Sequence, residues 1–139
     1  MSKNRAVIRL VEGSTQQEIQ LEDVKKKLEY YVEQAALTGK QLNWDYASAT
    51  FPYTMEEQSD NTTTWLVLKG KEPHLYKYLV IGVDKEEKTG QHYIQVIVPQ
   101  NATHGDHSKA NEFCRFLARS FQGELHLFNG RVISFNQQK

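Results

Sequence analysis

The sequence predicts an α+β fold, in which a mostly antiparallel, curved sheet of about six to seven strands carries two helices packed on one face. Three observations predict it. Two stretches place apolar residues at helical spacing, and several short runs are apolar or alternate as strands do. The chain also closes on two alternating runs around Asn129 and Gly130, a pair favoured in hairpin turns. The predicted order is β-β-α-β-β-β-α-β-β.

The first third of the chain predicts two strands and a helix. Residues 6–11 (AVIRLV) are continuously apolar apart from one arginine, and residues 17–21 (QEIQL) alternate as a second, more exposed strand would. A helix follows over residues 22–39, and Gly39 is a plausible left-handed stop. Its apolar face comprises Val24, Leu28, Tyr31, Val32 and Ala35.

Residues 40–63 form an irregular, aromatic-rich segment without a clean period. Loops of this length are uncommon in compact domains and are often functional or disordered. This one contains Trp44, Tyr46, Phe51 and Tyr53, whereas disordered segments have few aromatic residues. We therefore expect the four rings to attach the segment to the body of the domain.

The second half predicts three strands, a helix and a final hairpin. Residues 64–70, 76–83 and 92–98 are the strands, and a second helix runs from about Ser108 to Gly123. The apolar stripe of this helix comprises Ala110, Phe113, Cys114, Leu117 and Phe121.

The final hairpin predicts two apolar faces. A two-residue type I′ turn at Asn129-Gly130 pairs His126 with Ile133 and Leu127 with Val132. One face then carries His126, Phe128, Ile133 and Phe135, and the other carries Leu125, Leu127 and Val132. One side packs on helices, so the other needs a cover from residues 40–63, a second subunit or a ligand.

Bulk properties restrict the classes of function. The chain has 139 residues, the length of a single domain spanning residues 1–139. Lys plus Arg and Asp plus Glu are both 17, so the net charge is zero, which argues against a nucleic-acid or anionic-membrane binder. Cys114 is the one cysteine, and the first residues resemble neither a signal peptide nor a membrane span. We therefore expect a cytoplasmic protein.

The stretch ATHGDHSKANEFC at residues 102–114 is the segment whose residue types most resemble a metal or catalytic site. His104, Asp106 and His107 are residue types that bind zinc, nickel or iron, but their spacing matches no usual metal signature. Asp106 or Ser108 can instead cap the second helix. We favour the helix start, keep the metal site as the alternative, and expect no cofactor.

Signatures of catalysis are missing from the sequence. It contains no Gly-rich phosphate loop, no G-x-S-x-G and no C-x-x-C. Cys114 lies in an apolar stripe, where a cysteine acts as a small hydrophobe rather than as a nucleophile.

Three segments resemble a family of uncharacterised small proteins from spore-forming bacilli. They are IRLVEGS, FPYT and, most specifically, ATHGDHSKANEFCRFLA with GELHLFNGRV, within residues 101–132. The resemblance covers nearly the whole chain and implies a cytosolic, stand-alone α+β domain with a curved sheet like that of TATA-binding-protein-like folds. It implies no catalytic residues, and likeness of fold does not establish DNA binding.

These observations favour a small, non-enzymatic binding or protein-interaction module. Its partner would be a protein or peptide, an apolar metabolite or a second copy of the chain, and neither a membrane nor a nucleic acid is expected. The predicted surface comprises Trp44, Tyr46, Phe51, Tyr53, His126, Phe128, Ile133 and Phe135. The alternative is a metal-dependent protein or enzyme centred on His104, Asp106 and His107.

Overall fold

The computed structural model describes residues 4–42 and 50–135 and contains nine helices and strands within them. In chain order they are β1 Arg5–Arg9, α1 Leu21–Leu42, β2 Tyr53–Ser59, β3 Thr64–Gly70, β4 Tyr78–Lys85, β5 His92–Ile97, α2 His104–Phe121, β6 Glu124–His126 and β7 Val132–Ser134. Neither of the helices in these two ranges is long and apolar enough to cross a membrane.

The seven strands form one sheet in the order β2-β3-β4-β5-β1-β6-β7, and each neighbouring pair is antiparallel. Strand β1 lies between β5 and β6, so the N-terminal strand is inside the sheet, whereas β2 and β7 are its two edges. The predicted fold class, a curved antiparallel sheet with two helices on one face, is confirmed.

Side chains alternate between the two faces of the sheet, and only one face is covered by the helices. The covered face carries Ala6, Ile8, Leu66, Leu68, Leu79, Ile81, Ile94, Val96 and Leu125, which form one buried cluster with both helices. Helix α1 contributes Val24 and Leu28, and α2 contributes Phe113 and Leu117, all fully buried. These residues are the core that fixes the position of the remaining features.

The strand predicted at residues 17–21 is absent, because residues 17–20 form an irregular approach to α1 and Leu21 is the first residue of that helix. Within this stretch Ile19 is buried, and its backbone N–H donates to Nδ1 of His92 at 3.1 Å. The side chain of Asp23 accepts from the backbone N–H of Gln20 at 2.9 Å, which holds the start of the helix. One buried apolar residue between exposed glutamines imitates strand alternation without any strand partner.

A strand that the sequence pattern did not predict lies within residues 40–63. Strand β2 pairs with β3 over its full length, from Tyr53 opposite Gly70 to Ser59 opposite Thr64. It is an edge strand, and its later residues are exposed, so apolar alternation is lost after Met55. Hydrogen bonding to β3 makes this segment a strand. Its own sequence lacks the apolar alternation that would have predicted one.

Helix α1 continues past its predicted end. Gly39 is helical and buried, and the helix ends at Leu42. Among the described glycines a positive φ occurs at Gly13, Gly90 and Gly130, so Gly39 is not the left-handed stop that we expected.

The final hairpin has a different turn from the predicted one. Its loop has three residues, 128–130: Gly130 N–H donates to Leu127 O at 3.0 Å, and Leu127 N–H donates to Arg131 O at 2.8 Å. Gly130 has φ +90° but Asn129 does not have positive φ, which fits a type I turn closed by a left-handed glycine.

The extra loop residue changes the pairing of the two strands. His126 pairs with Val132 and Leu125 with Ile133, one residue away from the predicted register. A shift of one residue exchanges the faces, so Ile133 lies on the covered face and Val132 on the other. The predicted pairing of His126 with Ile133 is therefore wrong.

Candidate functional site

The histidine stretch is the N-terminus of α2. Thr103 is the N-cap residue, and its side-chain oxygen accepts from the backbone N–H of Asp106 at 3.1 Å. The Asp106 carboxylate in return accepts from the backbone N–H of Thr103 at 3.0 Å. This reciprocal arrangement is a capping box, with Thr103 rather than Asp106 or Ser108 at the cap position.

Asp106 also joins the helix to the sheet. Its carboxylate accepts from the Tyr53 hydroxyl at 2.5 Å and from the backbone N–H of Lys77 at 2.9 and 3.2 Å. The Thr103 hydroxyl donates to the backbone oxygen of Leu75 at 2.6 Å. Asp106 is fully buried. We call these four residues and Leu75 the Asp106 network, and it locks α2 to β2 and to the segment before β4.

Burial and the Asp106 hydrogen bond keep Tyr53 protonated. Burial is the larger cause that raises the pKa of the phenol well above its ordinary value, and the hydrogen bond and negative charge of Asp106 raise it further. The hydroxyl therefore serves as a fixed donor to the carboxylate. Sequence inspection places Tyr53 and Asp106 53 residues apart and gives no signal that the two side chains meet.

The geometry gives no support to the alternative of a metal site here. His104 and His107 are exposed, whereas Asp106 between them in sequence points into the protein. Three hydrogen-bond donors from the protein already occupy its two oxygens. Within residues 4–42 and 50–135, no three His, Cys, Asp or Glu side chains lie in a group suited to a metal ion.

Cys114 lies in the core between the helices and the covered face. It is fully buried, and burial raises the pKa of its thiol to about 12. A thiolate is therefore disfavoured at neutral pH, which is the reverse of what a nucleophilic cysteine needs.

The predicted binding residues do not share one surface. Phe51 and Tyr53 are buried on the covered side, where their rings contact Phe113. Three more of the set pack against the same core and are partly buried: Phe128, Ile133 and Phe135. His126 alone lies on the opposite face, and Trp44 and Tyr46 fall outside the described residues.

The opposite face of the sheet has no described element over it. We call it the open face. Its central residues, which alternate with those of the covered face, include Arg5, Val7, Arg9, Trp65, Val67, Val80, Asp84, Tyr93, Gln95 and Ile97. Trp65, Val80, Tyr93 and Ile97 are partly exposed, and Val67 is buried. The alternation at these positions was present in the sequence, but strands with both faces apolar do not indicate which face stays uncovered.

Two arginines on β1 converge on one tyrosine of the open face. The guanidinium carbons of Arg5 and Arg9 each lie 5.9 Å from the centre of the Tyr93 ring. Arg5 also donates to the side chain of Gln95 at 2.7 Å, and Arg9 donates to that of Gln91 at 3.3 Å. Neither guanidinium forms a salt bridge with a carboxylate of the described chain.

Two acidic side chains of this face, Glu124 and Asp84, lie near the arginines in the register but form no ion pair with them. Glu124, which pairs with Arg9 in the backbone register, bonds His126 at 2.8 Å instead. Asp84 pairs with Tyr93 in register and accepts the backbone N–H of Lys85, without a salt bridge in the described ranges. The open face thus has an apolar, aromatic centre with separated charges of both signs.

Two clefts lie away from the open face. One of about 300 Å³ separates α1 from β2 and is lined by Val32, Phe51, Met55 and neighbouring charged side chains. The other, of about 420 Å³, lies between residues 10–18 and the β4–β5 turn and is predominantly polar. His92 lines it, but its Nδ1 already accepts from Ile19. Neither cleft brings together side chains in an arrangement that indicates a particular reaction.

Comparison with known proteins gives a family and a related structure. The sequence profile described as Domain of unknown function (DUF1885) matches residues 4–137. A crystal structure titled as a protein of unknown function from Bacillus stearothermophilus is similar, with 40% sequence identity and a TM-score of 0.58. The alignment covers 87% of this chain and 92% of that one. No curated protein matches the sequence.

Proposed function

The chain belongs to the DUF1885 family, and we propose that it is a small, non-enzymatic binding module that contacts a protein partner through its open face. The observation that carries this proposal is the central part of that face, where Trp65, Tyr93 and Ile97 remain partly exposed with no described element over them. A sheet face with such residues normally packs against another layer of structure.

The composition of the open face supports a protein as the partner. Protein interfaces have an apolar centre with a polar rim, and they are enriched in tryptophan, tyrosine and arginine. Here Val67, Val80 and Ile97 lie in adjacent strands, and Arg5 and Tyr93 lie next to them. Arginine and tyrosine, unlike valine, are among the side chains that give the largest losses of affinity when interfaces are truncated.

Charge argues for a protein over a single-stranded nucleic acid. Sheets that bind single strands combine stacked rings with a continuous positive groove. On the open face Asp84 and Glu124 flank Tyr93 and Arg9 in the register, and Glu56 pairs with Lys69 at 3.3 Å. A phosphate backbone crossing this face would meet carboxylates in several strands.

The locked state of the ionisable groups supports a non-enzymatic role. Asp106 is committed to the Asp106 network, and Cys114 is buried with a raised pKa. The free, buried thiol of Cys114 is also compatible with the cytoplasm as the site of action.

Photo-cross-linking tests the proposal. A benzophenone side chain is placed at Ile97 on the open face or, as a matched control, at Lys26, which is exposed on α1. Each variant is irradiated in an extract of a native host and the adducts are identified by mass. We expect a defined protein adduct from position 97, and none from position 26.

The result is checked with Ile97→Asp in competition. Unlabelled wild-type protein should suppress a heterologous adduct from position 97, and folded Ile97→Asp should not. Where the adduct contains a second copy of the chain, unlabelled wild type should instead replace the labelled copy as the captured partner. Equal adducts from positions 97 and 26, or no adduct from position 97, would contradict binding through the open face.

A further inference from the structure

We infer that the partner is a second copy of this chain, packed open face to open face about a two-fold axis that runs along β5. This inference rests on the proposed function of the open face. Its own basis is the arrangement of charges in the backbone register, where unpaired groups of opposite sign occupy equivalent positions on the two sides of β5.

The register defines a row of three side chains across the three middle strands of the sheet, at the end of β1 and near the start of β5. Arg9 pairs with Tyr93, and Tyr93 pairs with Asp84. Strand β5 is thus flanked by β1 with the positive charge and by β4 with the negative one. Across two strand spacings the Cα atoms of Arg9 and Asp84 are about 10 Å apart, and neither side chain forms a salt bridge with a residue in 4–42 or 50–135.

A rotation by 180° about an axis parallel to β5 exchanges the positions of the two flanking strands. It leaves each row of side chains at the same position along the strand direction. The operation places β1 of one copy over β4 of the other, so Arg9 faces Asp84 of the second copy, and Asp84 faces its Arg9. Such an isologous contact forms the same pair twice. Packed sheets keep their strands within about 30° of each other, and this row spans only the three strands nearest the axis, so its side chains stay within reach of their counterparts.

The strand on the axis supplies the middle of the interface, where Gln95 lies between Tyr93 and Ile97 on the open face and already accepts from Arg5. Tyr93 and Ile97 are both on β5, both are partly exposed, and both would contact their own counterparts. Arg5 and Val80 flank Ile97 in its row, so the aliphatic part of Arg5 would cover Val80 of the second copy.

Charge balance favours a second copy over an unrelated protein. An acidic partner would suit Arg5 and Arg9 but would be repelled by Asp84 and Glu124, and a basic partner would meet the reverse conflict. A face with positive charge on one side of its two-fold axis and negative charge on the other is complementary to itself. Its size is also adequate, since strands at these spacings cover roughly 600 Å² in projection, close to the approximately 800 Å² per partner of a standard interface.

Charge exchange tests this inference in the purified full chain. The dimer dissociation constant is measured by sedimentation equilibrium for the wild type, Arg9→Glu, Asp84→Arg and the double variant Arg9→Glu/Asp84→Arg. We expect the wild type to dimerise, and each single variant to raise Kd at least about tenfold, because each places two like-charged pairs in the interface. The double variant should recover most of the affinity, since it restores both pairs with reversed signs.

Lys26→Glu is the matched control, because it changes the net charge by the same amount at an exposed position on α1. It should leave Kd unchanged, and circular dichroism should show that every variant is folded. A wild type that stays monomeric up to about 0.5 mM, a double variant as weak as the singles, or an equal effect of Lys26→Glu would overturn the inference.

The two proposals fail in different ways. A monomeric protein that still gives a defined heterologous adduct from position 97 would exclude the two-fold dimer and leave the binding module intact. A monomeric protein with no adduct from that position would contradict both.

Discussion

The covered face and the open face of the sheet differ in how completely their polar groups are used. On the covered side the buried Asp106 carboxylate accepts from three residues. On the open side Arg5 and Arg9 each donate to one glutamine and approach one ring, without a carboxylate in contact within the described chain.

This difference reverses the impression that the sequence gives. The stretch around His104 and His107 has the appearance of a reactive site, yet its central carboxylate is part of the packing. The open face contains no motif, yet its side chains retain unused capacity for contact. Residue types typical of active sites are therefore a poor guide to the functional surface of this protein. A better guide is whether each polar group already has its hydrogen-bond or ion-pair partners within the protein.

The largest expected difference in the free energy of unfolding is between substitutions at two neighbouring positions of β5. Val96 is fully buried on the covered face, whereas Ile97 is partly exposed on the open face. Val96→Asp buries an unpaired charge and should cost more than about 4 kcal/mol, enough to abolish folding. Ile97→Asp should cost about 1 kcal/mol and leave a folded protein. Urea unfolding followed by circular dichroism makes the comparison, and similar losses at both positions would break the assignment of faces.

The Asp106 network should give the next largest effect. In Asp106→Asn, an amide group replaces one acceptor oxygen and faces backbone donors, so we expect a loss of about 2–4 kcal/mol in the free energy of unfolding. The matched controls are His104→Ala and His107→Ala, both exposed, with expected changes within about 0.5 kcal/mol. Strong destabilisation by the histidine variants, or none by Asp106→Asn, would contradict a structural role for this stretch.

Alkaline pH should destabilise the covered side through its buried acids. The unfolded Cys114 thiol loses its proton near pH 9, while the folded thiol keeps it until about pH 12. Between these values the unfolded state binds fewer protons, so stability falls by about 1.4 kcal/mol per pH unit for this group. Tyr53, with its raised pKa, adds a second loss above pH 10.

The slope of stability against pH is the quantity to compare among variants. Cys114→Ala should remove its part of the slope from pH 9 upward, and Tyr53→Phe should remove its part above pH 10. Slopes that remain at the wild-type value in both variants would show that neither group is held protonated by the fold.

The smallest expected effect distinguishes the two possible registers of the final hairpin. Ile133 packs against the core, whereas the side chain of Val132 is on the open face and the residue is 53% exposed. Ile133→Ala should therefore cost about 1–2 kcal/mol and Val132→Ala less than about 0.5 kcal/mol. The type I′ register predicted from Asn129-Gly130 requires the opposite order, so thermal unfolding of the two variants decides between them.

Much of the architecture was readable from local patterns. The apolar stripes located both helices, and the strands at β3, β4 and β5 matched their predicted positions within a few residues. The errors occurred where the pattern is weak: a single buried Ile19 imitated a strand, and the charged edge strand β2 went unseen. In both cases the deciding interactions come from residues distant in sequence.

The candidate surface was less predictable than the fold. Alternating apolar residues indicate that a strand has two faces, but the position of the helices decides which face they cover. Of the eight residues predicted for the binding surface, Phe51 and Tyr53 lie in the core and His126 lies on the open face. Aromatic content marked these residues, although a buried ring and an exposed ring look the same in a sequence.

The sequence by itself determined the α+β class and the two amphipathic helices, because the helical period acts over a few neighbouring residues. It indicated Asp106 or Ser108 as the cap of the second helix, whereas Thr103 is the N-cap in the structure. Only the tertiary structure decided that Tyr53 meets Asp106 and that Arg9, Tyr93 and Asp84 share one row. Those contacts depend on strand order and register, which are set by pairings between distant segments and by one residue in the length of a turn.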